Sequence, residues 1–418
     1  MGTAPNPDAA EESRDGVFSH RPYALFWAAR VAGTTGLQMI TVAVGWQVYS
    51  ITRQPLDLGL IGLVQFIPAV GLALPAGQIV DVLDRRMVAL GCLLTEALAA
   101  LFLAAYAIAG PTETWPIYAA IFVFGLAYAF HAPANSALMP NLVPRRLFQS
   151  AVAWSSSGFQ GATIVGPAAG GLLYAFGAET VYSIVTGLLA LSFCLTLGVR
   201  PPPQPPRRQE PFALSQVFAG LAFIRSRPIV LGAISLDLFA VLLGGATALL
   251  PAIAADVLQV GPWALGLLRS APAVGALAVG LWLARAPLRR HVGRIMFASV
   301  ALFGLATIVF GLSRSFPLSV AALVVLGASD MVSVVIRQTL VQLATPDEMR
   351  GRVSSVNFIF IGTSNQLGEF ESGLSAHWLG VVPAIVLGGF GTLVVVALWA
   401  WRFPELRRAR TLDLAEHG

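Results

Sequence analysis

The chain has 418 residues and a formal net charge of +5; it is 56% hydrophobic and only 11% charged. Ordinary soluble domains carry roughly 25% charged residues, so a water-facing surface cannot be covered here and a soluble fold is excluded. All 26 basic residues are arginine, and without lysine there is neither a nucleotide-driven pump built on a Walker loop nor Schiff-base chemistry.

Residues 1–22 are polar and lack an apolar signal-peptide core, so they are expected to form a cytoplasmic tail. A membrane span needs about 20 apolar residues. Six such stretches follow at 23–50, 57–80, 87–109, 115–139, 147–176 and 180–198, predicting an N-terminal bundle over 23–198. Residues 199–227 begin with the proline-rich run Arg200–Pro211, which cannot be a membrane helix and reads as a cytoplasmic linker. It closes with an amphipathic interfacial helix over 212–225. Six more stretches at 229–255, 263–284, 292–312, 316–343, 353–376 and 379–402 predict a C-terminal bundle over 228–403, followed by a cytoplasmic tail at 404–418.

The two sets are related. Arg21-Pro22 opens the first and Arg227-Pro228 the second. Residues 144–173 align on 346–375 at a constant offset, placing Pro144 on Pro346, Gly166 on Gly368, Gly171 on Gly373 and Leu172 on Leu374. Self-similarity at half the chain length means two related halves, and in so apolar a chain it suggests a transporter that rocks them about a central site. Arg30, Arg269 and Arg337 lie inside spans, Arg53 and Arg314 lie on one set of loops, and the remaining arginines fall on the opposite side. The positive-inside rule then puts both termini and the linker in the cytoplasm and explains the basic balance without nucleic acid.

Residues 77–86 read Gly-Gln-Ile-Val-Asp-Val-Leu-Asp-Arg-Arg. This resembles the loop 2–3 signature of the major facilitator superfamily, with Gly77, Asp81, Arg85 and Arg86 matching and Val82 and Asp84 departing from the usual Arg and Gly. Gly166, Pro167, Gly170 and Gly171 resemble the core of that superfamily's antiporter motif, although Ala153 and Ala162 stand where glycines are usual. Residues 330–373 are similar to the branch containing bacterial enterobactin exporters and macrolide efflux pumps. The resemblance implies an all-α membrane protein of 12 transmembrane helices in two pseudo-symmetric six-helix bundles. Asp81 would cap the N-terminus of a neighbouring helix starting near Gly351. Arg85 and Arg86 would pair with acids across the interface between the halves, as a gate latch, or act only as topology determinants.

An ionisable side chain at span depth costs roughly 2.5–3.5 kcal/mol on insertion scales. Arg30, Glu96, Asp237, Arg269, Asp330, Arg337, Glu369 and Glu371 are the candidates. Asp237, Asp330 and Glu369 are candidate proton carriers with Arg337 tuning them; the alternative is buried ion pairs that fix helix register. Asp330 and Arg337, seven residues apart, share a helix face about 10 Å apart along the axis. Glu96 and Arg30 are expected as a structural pair, and His131 as a structural histidine. Cys92 and Cys194 read as small core residues. Catalytic residues, metal ligands and cofactors are not expected. The sequence thus predicts a monomeric proton-coupled exporter of amphipathic small molecules, of siderophore or drug type, in a bacterial inner membrane. Its partners are a small-molecule substrate, protons and membrane lipid. An importer of the same fold, or a membrane scaffold or enzyme, are the alternatives.

Overall fold

A computed structural model describes residues 16–110, 112–200, 214–286 and 290–409, and a few side chains within the helices, Asp81 among them, lie outside the description. Residues 1–15 and 410–418 of the predicted tails and most of the proline run fall outside these residues, while the C-terminal tail begins with a short helix, Pro404–Arg408. Among the described residues the secondary structure is helical, without strands.

Twelve helical segments run in chain order: α1 (Arg21–Thr52), α2 (Pro55–Gly71, resumed as Ala73–Val82), α3 (Arg85–Ile108), α4 (Trp115–Leu138), α5 (Phe148–Leu173), α6 (Ala178–Gly198), α7 (Pro228–Leu243, continued to Val257), α8 (Pro262–Arg285), α9 (Val292–Leu312), α10 (Phe316–Leu343), α11 (Asp347–Leu379) and α12 (Val381–Arg402). They coincide with the predicted spans to within about three residues at each end, except that α11 starts six residues earlier than its predicted span, at Asp347 rather than 353. Proline stands in the first turn of α1, α2, α4, α7, α8 and α10, where its missing N–H would be unbonded in any case. Eight of these segments are long and apolar enough to cross a membrane by composition alone. The four that fall short are α1, α2, α5 and α11. All four pack at the junction of the two halves; α2 is apolar but its unbroken stretch, Pro55–Gly71, is only 17 residues long.

Helix packing repeats between the halves. In the first, α1 packs on α5 and α6, α3 on α4 and α6, and α2 on α4; in the second, α7 packs on α11 and α12, α9 on α10 and α12, and α8 on α10. The halves join through α2 against α11 and α5 against α8, two contacts that the repeat exchanges. Local backbone repeats as well. Gly177 (φ 101°, ψ 156°) and Gly380 (φ 90°, ψ 157°) cap the last helix of each half in a conformation that a side chain would strain.

Two helices are interrupted. α2 breaks at Leu72, four residues after the internal Pro68. α7 ends at Gly244-Gly245 and continues through a 3-10 turn (Ala246–Leu249) and a π-turn (Ile253–Val257). The linker helix, Leu214–Ser226, packs on α7 and α11, burying Ile224 and exposing Phe218. Near the chain ends, Val17, Tyr23 and Leu142 form one apolar cluster, and Leu406 joins another with Val292 and Leu236. Both clusters mark the same end of the bundle, hereafter the terminal end; the opposite end is the loop end.

Candidate functional site

The described contacts between the halves run from mid-helix to the loop end. In the middle, Gln160 Nε2 of α5 donates to the Ala273 carbonyl of α8 (3.2 Å), and Ser270 Oγ of α8 donates back to the Ile164 carbonyl (2.6 Å). Nearer the loop end the backbones nearly touch: a Cβ on Gly171 would lie 2.8 Å from Gly266 Cα, and one on Gly373 would lie 2.7 Å from Gly59 Cα. Val42 of α1 belongs to the same apolar cluster as Leu249, Leu250 and Leu265 of the other half. At the loop end itself the Tyr49 hydroxyl donates to Asp256 Oδ2, and Arg53 pairs with Asp256 Oδ1 at 3.2 Å.

The two family-like motifs take different places in this arrangement. Gly166 and Gly170 of the antiporter-like run face α1, where their Cβ atoms would lie 2.6 Å from Gln38 Cβ and 2.9 Å from Met39 Cα; Gly171 faces α8 across the junction. Pro167 is buried beside them, and its carbonyl would meet a Cβ on Gly266. At the terminal end, Gly77 lies in the second segment of α2 with open space around it. Asp84 caps α3, accepting from the backbone N–H groups of Arg86 and Met87, which gives the unusual residue of that motif a structural role. The described bonds of Arg85 and Arg86 go to backbone carbonyls. Arg85 donates to the Ala137 carbonyl (3.2 Å), and Arg86 to the carbonyls of Thr196 (3.3 Å) and Leu197, all within their own half. The Asp81 side chain lies outside the described residues, and α11 begins at Asp347 rather than near Gly351.

The ionisable residues at span depth form three groups. In the C-terminal bundle, Arg337 of α10 pairs with Asp237 of α7 at 2.7 Å, both nearly inaccessible to water. Asp330, two turns earlier on α10, lines a small cavity with Asp237, Ser329 and Ser333, closed by Val300 and Phe303 of α9. The charges of Asp237 and Arg337 both act on Asp330. At the junction, Arg269 of α8 and Glu369 of α11 act on each other. Glu369 lies against α2, where a Cβ on Gly62 would be 2.6 Å from its Oε2. Beside it the Gln366 Oε1 is buried without a partner, and Asn357 Oδ1 is likewise unpartnered. Glu371 is half-buried beside Ser375.

In the N-terminal bundle the expected Glu96–Arg30 pair does not form. Glu96 Oε1 instead meets His131 Nδ1 at 3.1 Å, deeply buried, while Arg30 donates to Ser155 Oγ (2.9 Å) and lies 6.0 Å from the Phe159 ring centre. Cys92 is buried as expected, but Cys194 is exposed on α6. Sequence reasoning did not single out Tyr49, Asp256, Ser333 or Gln160. The signal available for the first two was Arg53, an arginine on the wrong set of loops for a topology determinant; its partner Asp256 closes the irregular end of α7.

The chain matches the family described as "Transmembrane secretion effector" over residues 15–416. It is 28% identical over 400 residues to the enterobactin exporter EntS of Shigella boydii, spanning 94% of each chain, and equally similar to that of Escherichia coli O1:K1. Its fold is similar to that of a bacterial homologue of the human lysosomal transporter Spinster in an inward-facing, unoccupied conformation (TM-score 0.73, 13% identity, 93% of this chain and 99% of that one). It is also similar to the POT family transporter PepTSo (TM-score 0.72, 12% identity, 93% and 98%). On that match, its relatives and its fold, the protein is a multi-pass membrane transporter rather than an enzyme, and it belongs to the transmembrane secretion effector family of the major facilitator superfamily.

Proposed function

We propose that this protein is a secondary active exporter of amphipathic small molecules, siderophore-like or drug-like, driven by protons across a bacterial inner membrane. Its two halves, 23–198 and 228–403, act as the moving bodies of an alternating-access cycle, with both termini and the linker in the cytoplasm. The observation that carries this reading is the one-sided junction: the halves are bonded from mid-helix to the loop end, which on the arginine asymmetry is the periplasmic end. A central site closed on that side is poised to receive a substrate from the cytoplasm. The similarity to enterobactin exporters supports the outward direction and suggests siderophores as the first compounds to try.

In the same cycle Gly77, Asp81, Arg85 and Arg86 form the cytoplasmic gate, engaged when that side closes. Gly166, Pro167, Gly170 and Gly171 keep α5 close to α1 and α8. Asp237, Asp330, Arg337 and Glu369 supply the proton coupling, because charges at this depth are costly and pairing neutralises only some of them. Everted membrane vesicles loaded through a panel of siderophores and drugs, with and without an imposed pH gradient, test the reading. Gradient-dependent uptake of at least one compound is expected. It should be strongly reduced in well-inserted Asp81→Asn protein, and transport indifferent to the gradient would overturn proton coupling.

A further inference from the structure

We propose that the cavity between α7, α9 and α10 is a binding site for a single monovalent cation, a proton or a sodium ion, with Asp330 as its carboxylate and the Ser333 hydroxyl as its second oxygen. The inference deepens the coupled-export reading and rests on it for its purpose, though not for its chemistry.

The argument begins with charge. Asp237 and Asp330 both line the cavity, and the guanidinium of Arg337 sits 2.7 Å from Asp237. One carboxylate is therefore neutralised. Asp330 has no ion-pair or hydrogen-bond partner among the described residues. Neighbouring helices supply no further counter-charge: Arg269 of α8 acts on Glu369, while Arg285 of α8 and Arg294 of α9 are exposed. Asp330 itself is partly exposed, but the pocket is left one positive charge short, and an uncompensated charge at span depth is costly.

A second observation is independent of charge. Ser333 is 2% exposed and lines the cavity, and its buried Oγ has no hydrogen-bond partner among the described residues. A buried hydroxyl without a hydrogen bond is costly, so an oxygen lining a cavity without a protein partner points to an occupant. Ser329 spends its hydroxyl proton on the Val325 carbonyl (2.7 Å) and leaves its lone pairs facing the same space. The apolar walls, Ala240, Val241, Val300 and Phe303, leave room for something the size of a water molecule or a bare ion rather than an organic substrate. Spatially the cavity is inside the C-terminal bundle, apart from the junction, so cation and substrate can be bound at once. Val241 lies three residues before the Gly244-Gly245 break of α7, where α7 meets α11, and this gives the occupied and empty states a mechanical route to the junction.

The test uses purified full-length protein without any exported compound. Proton uptake on a small acid pulse is followed with an indicator dye, and sodium occupancy by equilibrium binding of radioactive sodium. The variants are Asp330→Asn, Ser333→Ala and, as a control outside the cavity, Glu371→Gln. For a proton site, wild type and Glu371→Gln take up one proton per chain that Asp330→Asn does not, and a protonated-carboxyl infrared band disappears in the same variant. For a sodium site, one sodium per chain binds, is lost in Asp330→Asn and is weakened about tenfold in Ser333→Ala, the equivalent of one missing polar contact. Should Asp330→Asn fail to fold, Ser333→Ala decides alone: it weakens sodium binding about tenfold or, for a proton site, moves the midpoint of proton uptake by about one pH unit, and a variant identical to wild type in both would overturn the site. Identical proton uptake and no sodium binding in wild type and variants would overturn the site. Gradient-driven export that survives such a result leaves the transport reading standing; a cation bound at Asp330 without any gradient-driven transport does the reverse.

Discussion

Asp237 and Arg337 stand a hundred residues apart in the chain and 2.7 Å apart in the fold. Each was recognisable alone, because an ionisable side chain in an apolar stretch is rare and costly; that they pair was not, because helical periodicity gives the face a residue occupies and not the neighbour it meets. Glu96 makes the same point, meeting His131 rather than Arg30. Removing one member of a buried pair strands the other charge and typically costs about 3–5 kcal/mol. Arg337→Gln should therefore lower the melting temperature of the purified protein markedly, while the double variant Asp237→Asn with Arg337→Gln should recover most of the loss. A single variant as stable as wild type would mean that the pair is not the buried contact it is drawn to be.

At the level of elements, the closure of the loop end combines weak and strong contributions. Arg53 and Asp256 are substantially exposed, so their ion pair adds at most about 1 kcal/mol. The Tyr49 hydroxyl, nearly buried and bonded to the same carboxylate, is the stronger contact, about 1.5–3 kcal/mol for a bond to a charged group. Close approach at Gly171 and Gly266 adds packing that tolerates no side chain. Tyr49→Phe should loosen this end by roughly tenfold or more in the closed-to-open equilibrium, and Gly171→Leu should loosen it further. Val42 is 1% exposed inside the cross-half cluster. Val42→Cys, placed in a background with Cys92→Ser and Cys194→Ser, should accordingly gain labelling by an impermeant maleimide when either variant is added. Unchanged labelling in both would show that these contacts do not hold the end shut. The interruptions of α2 and α7 belong to this scale too. Pro68 and Gly244-Gly245 are visible in the sequence, but a proline or a glycine pair inside a membrane helix is as compatible with continuous helix as with a break, and only packing against α4 and α11 decides between them.

Across the whole molecule, two halves with the same internal packing are bridged by two symmetry-related contacts, α2 with α11 and α5 with α8. Because both bridges engage the loop-end half of their helices, rocking one bundle on the other would open that end and close the terminal end without repacking either core. The orientation proposed for this motion follows from the arginines alone and is tested directly. Reporter fusions after residues 210 and 418 should be active only with cytoplasmic reporters, and a fusion at Arg53 only with a periplasmic one. The reverse pattern would invert the direction assigned to the closed end.

The sequence by itself determined the class, the spans and the two-fold repeat of this protein. These depend on quantities that add up along the chain: hydropathy over about 20 residues, proline at helix starts, glycine at turns, arginine on one side. It also marked most of the costly charges, since a charge at membrane depth is anomalous whatever surrounds it. Which charges neutralise each other, which carboxylate is left over, and which end of the junction is closed were decided only by the tertiary structure. Asp330 is singled out because Arg337 turns to Asp237, and Tyr49 matters because the irregular end of α7 delivers Asp256 to it. Such facts are set by the relative placement of helices from distant parts of the chain, a placement fixed by small-residue contacts like Gly59 with Gly373 and Gly171 with Gly266, whose partners no local pattern names.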